Sequence, residues 1–278
     1  MSKHKREKHD HENEPEQKKQ KIEDEIIEMG HIYFFYRPKV DLESAEGPDD
    51  VQKFYLLVKP LDKGASRLIN MLKKKLPDIT KHERLLGVVE KTSPNVKQIV
   101  EESLSIEINH NKTKDDTTAQ PARPVGEGFY AIVTHEKNTR LAYILEVPNK
   151  LSKVQSSFNI ESEGCFVVSV KNPEKEDAAG VVSKSEKPEF DDSLQEMFHN
   201  RKWAPITSTD FLNVEGAEIL FVGANHDVEY LGNVGEQVEE EAENDIHKNH
   251  PDPKSIFQEL HLKRSEHPIE SLTKGEWS

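Results

Sequence analysis

Gly30-His31-Ile32-Tyr33-Phe34-Phe35-Tyr36-Arg37-Pro38 opens the folded part of this chain and decides its class. From His31 to Tyr36 the residues suit an extended backbone, and Pro38 ends the run because it lacks a backbone donor. Three similar stretches follow: Phe54 to Val58, stopped by Pro60; Arg67 to Leu72, after Gly64; and Leu85 to Val89. Each is short, rich in β-branched or aromatic residues and bounded by Gly, Pro or Asp, the pattern of strands in an antiparallel sheet.

One helix interrupts them. Ser93 suits an N-cap and Pro94 the first helical position. Val96, Ile99, Val100 and Leu104 then share a face. Residues 108–120 are polar and read as an exposed loop. Gly128–Thr134 and Arg140–Val147 flank a short polar connection and predict a hairpin. Leu151, Val154 and Phe158 fit a short helix, Cys165–Val170 a buried strand, and residues 174–190 a loop. Leu194, Met197 and Phe198 fit a helical turn capped near Asp192 or Ser193, and Glu218–Val222 a last strand. Too little helix separates consecutive strands for parallel crossovers. The expectation is an α+β fold: a mostly antiparallel, curved or barrel-like sheet with a few short helices and disordered tails. The domain spans residues 29–232, with 108–120 as an alternative point of division into subdomains.

Composition sets the ends apart. Only 34% of the residues are hydrophobic while 32% are charged, which predicts disorder in part of the chain. Residues 1–28 are a charged tail, with almost no apolar residue before Ile22; residues 233–278 read as an acidic, largely disordered tail. Lys5-Arg6 and Lys18-Lys19-Gln20-Lys21, eleven residues apart, have the form of a bipartite nuclear localisation signal for an import receptor; a solvated charged tail accounts for the same letters. The net charge of -14 argues against general duplex DNA and anionic membranes as partners. With one cysteine, Cys165, the chain forms no internal disulfide, which fits a reducing compartment. No stretch has the length and apolarity of a membrane span. Nucleus and cytosol are the expected locations.

Gly30–Arg37, Phe54–Leu57, Lys75-Leu76-Pro77, Pro121–Ile132, Leu141-Ala142-Tyr143 and Ser169–Pro173 together resemble a family of uncharacterised proteins in fungi, plants and some bacteria. The resemblance runs from about residue 30 to 224, and its most distinctive part is 121–132. Fungal members often carry the label "BTB domain transcription factor". A BTB domain has a substantial helical cluster, whereas this chain reads as mostly strand and shows no DNA-contacting motif. The resemblance implies a shared fold and supplies no catalytic residues.

Few residues stand out as a site. Gly126-Glu127-Gly128 lacks the third glycine of a dinucleotide fingerprint and precedes a strand, so it reads as a tight turn. The thirteen histidines show no metal-ligand spacing, and no cofactor motif is present. Cys165 sits in an apolar strand, a setting for packing rather than nucleophilic chemistry. Arg37 follows the first strand, and Arg123 and Glu127 lie in a Pro- and Gly-shaped loop; fixed charges there form either a binding site or a structural ion pair. Trp277, a large aromatic in a polar tail, either docks on its own domain or anchors a partner, unless it is a stray exposed residue. These readings predict a non-enzymatic binding or interaction module with a protein partner. The alternative is a small enzyme or ligand-binding barrel for a polar or anionic small molecule, lined by Arg37, Arg123 and Glu127. RNA recognition is a third reading and requires Tyr33, Phe35 or Tyr55 to be exposed.

Overall fold

The computed structural model describes residues 25–109, 117–135, 137–175, 187–225, 228, 231, 233–249, 255–263 and 265–278. Strands β1 (Glu25–Pro38), β2 (Val51–Pro60), β3 (Ser66–Met71) and β4 (Arg84–Ser93) form an antiparallel meander. After α1 (Val96–Ile99), the short strands β5 (Glu107–Asn109) and β6 (Thr117–Ala119) pair with each other apart from the main sheet. β7 (Arg123–His135) and β8 (Asn138–Val147) make the expected hairpin. Then come α2 (Lys153–Ser157), β9 (Glu163–Lys171), α3 (Asp192–Glu196), β10 (Trp203–Pro205) and β11 (Glu218–Asn225). Helices α4 (Asn233–Asn249), α5 (Ser255–Glu259) and α6 (Glu270–Thr273) complete the order.

The ladders run β1-β2-β3-β4-β11-β9-β8-β7 and back to β1, all antiparallel. The sheet is therefore a closed eight-strand barrel, with β10 added beside the end of β9. The eight strands expected from the sequence are the eight of the barrel. β1 pairs with both β2 and β7, so the residues on either side of 108–120 belong to one body.

Alternate residues of β1 enter different cores. Ile32, Phe34 and Tyr36 join a cluster with residues from every barrel strand, among them Phe54, Ile69, Val89, Ile132, Tyr143, Phe166 and Phe221, which is the barrel interior. Tyr33 and Phe35 point outward with Tyr55, Leu57 and Leu68. That outer face is covered by Val96, Ile99, Val100 and Leu104 and by Ile256, Leu260, Leu262 and Leu272. A second outer patch, Phe129, Ala131, Val133, Ala142 and Cys165, lies under Val238 and Ala242 of α4. Burial on both faces is why His31–Tyr36 has no polar alternation.

Several expectations are corrected. β1 begins at Glu25, inside the stretch assigned to the N-terminal tail. The described part of 233–278 is not a disordered tail: it forms three helices, and Val238, Ala242, Ile256, Leu260, Leu262 and Leu272 are buried. In α4 the acidic residues share the helix with the buried Val238 and Ala242, so composition hid an amphipathic helix. The first helix is capped by Asn95, not Ser93: the Asn95 side chain accepts from the Lys97 N–H, and Ser93 still belongs to β4. Asp191 likewise caps α3, accepting from the Leu194 N–H. Residues 123–128 are not a loop. From Arg123 onward they are strand, and Gly128 serves close approach: a Cβ there would lie 2.1 Å from the Ile144 carbonyl oxygen. Tyr33, Phe35 and Tyr55 are fully buried, which removes the surface that RNA stacking requires.

Candidate functional site

Tyr36 is the last inward-facing aromatic of β1, and one end of the barrel is organised around it. Its ring stacks on Phe158 at 5.5 Å between centroids, and Phe158 stacks on Phe54 at 4.7 Å. Phe158 is delivered by α2, whose start is fixed by a capping box between Ser152 and Gln155. Gln155 is fully buried, and its Nε2 donates to the Val125 carbonyl at 2.9 Å and the Ser271 carbonyl at 3.0 Å. The helix thus ties β7 to α6.

From α6 the chain turns back onto this end. Gly275 adopts φ +67, the left-handed region that favours glycine, and a Cβ there would fall 2.4 Å from Ser152 Cβ. Trp277 then lies against Tyr36 at 5.3 Å and Phe158 at 5.5 Å, half-buried. The main chain is held as firmly as the ring. The Tyr36 hydroxyl donates to the Ser278 carbonyl at 2.9 Å and accepts from the Ser278 N–H at 3.1 Å. The Ala45 N–H donates to the same carbonyl at 3.2 Å, and Ser271 Oγ donates to the Glu276 carbonyl at 2.8 Å. Of the three readings of Trp277, the structure places it on its own domain.

Arg123 stands opposite Tyr36 in the β1–β7 ladder, so Tyr36 has both Arg123 and Trp277 as neighbours. The Arg123 guanidinium is buried and donates from Nη1 to the Pro121 carbonyl and from Nη2 to the Glu43 carbonyl at 2.7 Å. Its Nε has no hydrogen-bond partner among the described residues. Burial first, and the neighbouring Arg37 charge after it, hold its pKa below the usual arginine value.

Arg37 is 1% exposed and faces outward. It donates to the carbonyls of Ser103 (2.7 Å), Ser105 (3.0 Å) and Gln120 (2.7 Å), with the Glu107 carboxylate at 3.4 Å. One guanidinium therefore pins the segments flanking β5 and β6 to the barrel. Glu127, also buried, sits opposite Tyr33 and Val147 on the outward register. Both arginines of the expected trio are engaged with main-chain carbonyls.

The sequence reading missed another cluster. Glu28 Oε1 accepts from Arg67 Nη1 and from the Tyr130 hydroxyl, each at 2.6 Å, and Arg67 Nε donates to Asn213 Oδ1 at 2.9 Å. Arg67 is 1% exposed and Tyr130 fully buried. Burial, then the Glu28 charge, raises the Tyr130 pKa well above its ordinary value, so the hydroxyl stays protonated and donates. An arginine inside the apolar run 66–71 was a visible signal. Its partner was not, because Glu28 closes a stretch whose composition is that of a charged tail.

Cys165 is buried under α4 with Arg140 Nη1 4.0 Å from its sulfur. Among the described residues no cluster of three or more His, Cys, Asp or Glu could hold a metal ion. Lys5, Arg6, Lys18, Lys19 and Lys21 lie outside the described residues. No family model, no curated protein and no solved structure matches the chain, so the family resemblance rests on the sequence alone.

Proposed function

We propose that the protein is a non-enzymatic binding module of the nucleus and cytosol, a filled barrel that recognises a protein partner through its ends and outer surface. The carrying observation is the interior. An eight-strand barrel either fills with its own side chains or keeps a lumen for one small ligand. Here Phe34 lies 6.3 Å from Phe54 and 5.2 Å from Tyr143, and Phe166 lies 6.2 Å from Tyr143 and 6.4 Å from Phe221, all at most 1% exposed. Phe190, Phe198 and Phe211, in mutual contact, extend the same core, while Trp277 packs over the Tyr36 end. Affinity capture of the tagged full chain from cells tests the reading. It should bring down a protein in fixed proportion, and native mass spectrometry of the chain should give its bare mass. A stoichiometric small-molecule adduct would overturn the proposal. Nuclear import is tested separately: a fluorescent fusion without residues 1–24 should lose nuclear accumulation, and an unchanged distribution counts against the signal.

A second reading, a small enzyme or ligand-binding barrel for a polar or anionic molecule, draws on the Glu28–Arg67 pair. A buried ion pair is seldom worth its desolvation in stability alone, which leaves room for a role in recognition. An adduct that an Arg67→Met variant fails to retain would favour it.

A further inference from the structure

The four residues 275–278 are bound as a peptide ligand would be. One aromatic side chain packs across the stacked Tyr36–Phe158 pair, and the rest of the recognition is polar: the Ser278 N–H and carbonyl, the Glu276 carbonyl, and the Ser278 hydroxyl, whose Oγ lies 3.2 Å from Ser271 Oγ. A peptide with one large aromatic anchor and satisfied backbone groups is a recurring mode of recognition. The segment is also separable. Leu272 and Ser271 of α6 are buried, whereas Trp277 and Ser278 are half-buried and Gly275 sits between the two parts. Rotation at Gly275 would lift 276–278 away while α6 stayed in place.

We infer that the face formed by the stacked Tyr36–Phe158 pair is a peptide-recognition site, covered in cis by residues 275–278, whose partner is an unstructured segment bearing a Trp followed by a small hydroxyl residue. This rests on the binding-module reading and gives that module its site. The cis segment competes at high effective concentration, so the site is masked until a partner segment displaces it. Four contacts define what it accepts: the face of the Tyr36–Phe158 ring pair, the Tyr36 hydroxyl, the Ala45 N–H and the Ser271 hydroxyl.

The test uses the full chain carrying Trp277→Ala and a fluorescein-labelled peptide with the sequence of residues 270–278. The variant should bind the peptide at least ten times more tightly than the wild type, and a peptide with Trp replaced by Ala should not bind. Equal affinity for both proteins, or binding to neither, overturns the inference. Should the variant fail to fold, the wild type labelled with 5-fluorotryptophan decides. Millimolar peptide should shift the Trp277 fluorine resonance, identified with Trp203→Phe, towards its solvent-exposed position; an unmoved resonance overturns the inference. A wild-type dimer abolished by Trp277→Ala would assign this face to a second copy of the chain and also overturn the inference. Failure here with a partner still captured by the full chain would leave the binding-module reading standing, with recognition elsewhere.

Discussion

The Tyr36 hydroxyl donates to the Ser278 carbonyl and accepts from the Ser278 N–H, joining the first barrel strand to a residue 242 positions later. The same hydroxyl lies 2.9 Å from Ser271 Oγ. A single phenol oxygen therefore organises the closure of one barrel end. Tyr36→Phe keeps the ring stack and removes these contacts. The expected loss is about 1–3 kcal/mol, the usual result of stranding buried polar groups. Urea denaturation measures it, and a red-shifted tryptophan emission should report the loosening of Trp277.

The Glu28–Arg67 pair makes a sharper prediction. Arg67→Met leaves a buried carboxylate without its cation and should cost about 3–5 kcal/mol. The double variant Glu28→Leu/Arg67→Met removes both charges from an apolar interior and should be more stable than Arg67→Met alone. Chemical denaturation of the two variants decides; a double variant at or below the single one would show that the surrounding core cannot absorb the change.

His267 is buried and its Nδ1 lies 2.9 Å from the Ala122 carbonyl. Burial lowers its pKa below the ordinary 6.5; Arg123 and Arg37 push the same way, while the Ala122 contact and Glu266 oppose them. The unfolded chain therefore takes up this proton at a higher pH than the native one. This contribution to stability is complete above about pH 6.5 and falls as the pH drops towards the lowered native value. Denaturation midpoints at pH 7.5 and 5 should show the fall, and His267→Asn should flatten it.

Cys165 is fully buried among Phe129, Ala131, Ala142 and Val238. A thiol in such a setting is protected from reagents until the structure opens. The native chain should react with an aromatic disulfide reagent no faster than it unfolds, and at once in denaturant. Fast reaction in buffer would mean that α4 does not stay seated over the strands.

The strands, their antiparallel order and the barrel-like sheet were legible in local sequence, because apolar runs broken by Pro and Gly report on nearest neighbours along the chain. His31–Tyr36 and Cys165–Val170 were read correctly for that reason. Arg37 and Arg123 were legible as fixed charges, for binding or for structure, but their partners were not, since the carbonyls of Ser103, Gln120 and Glu43 lie far away in sequence. Glu28 was lost for the same reason: its partner Arg67 is 39 residues away and Tyr130 is 102.

The C-terminal segment draws the line most clearly. Its acidity and low apolar content were facts of the sequence, and they argued for a solvated tail. Only the barrel supplied the outer faces of Phe129 and Tyr33 and the stacked Tyr36–Phe158 pair against which Val238, Leu260 and Trp277 pack. Local composition determines which stretches can form strands. Whether a sparse apolar residue is buried depends on a surface built from distant strands, and that exists only after the barrel has closed.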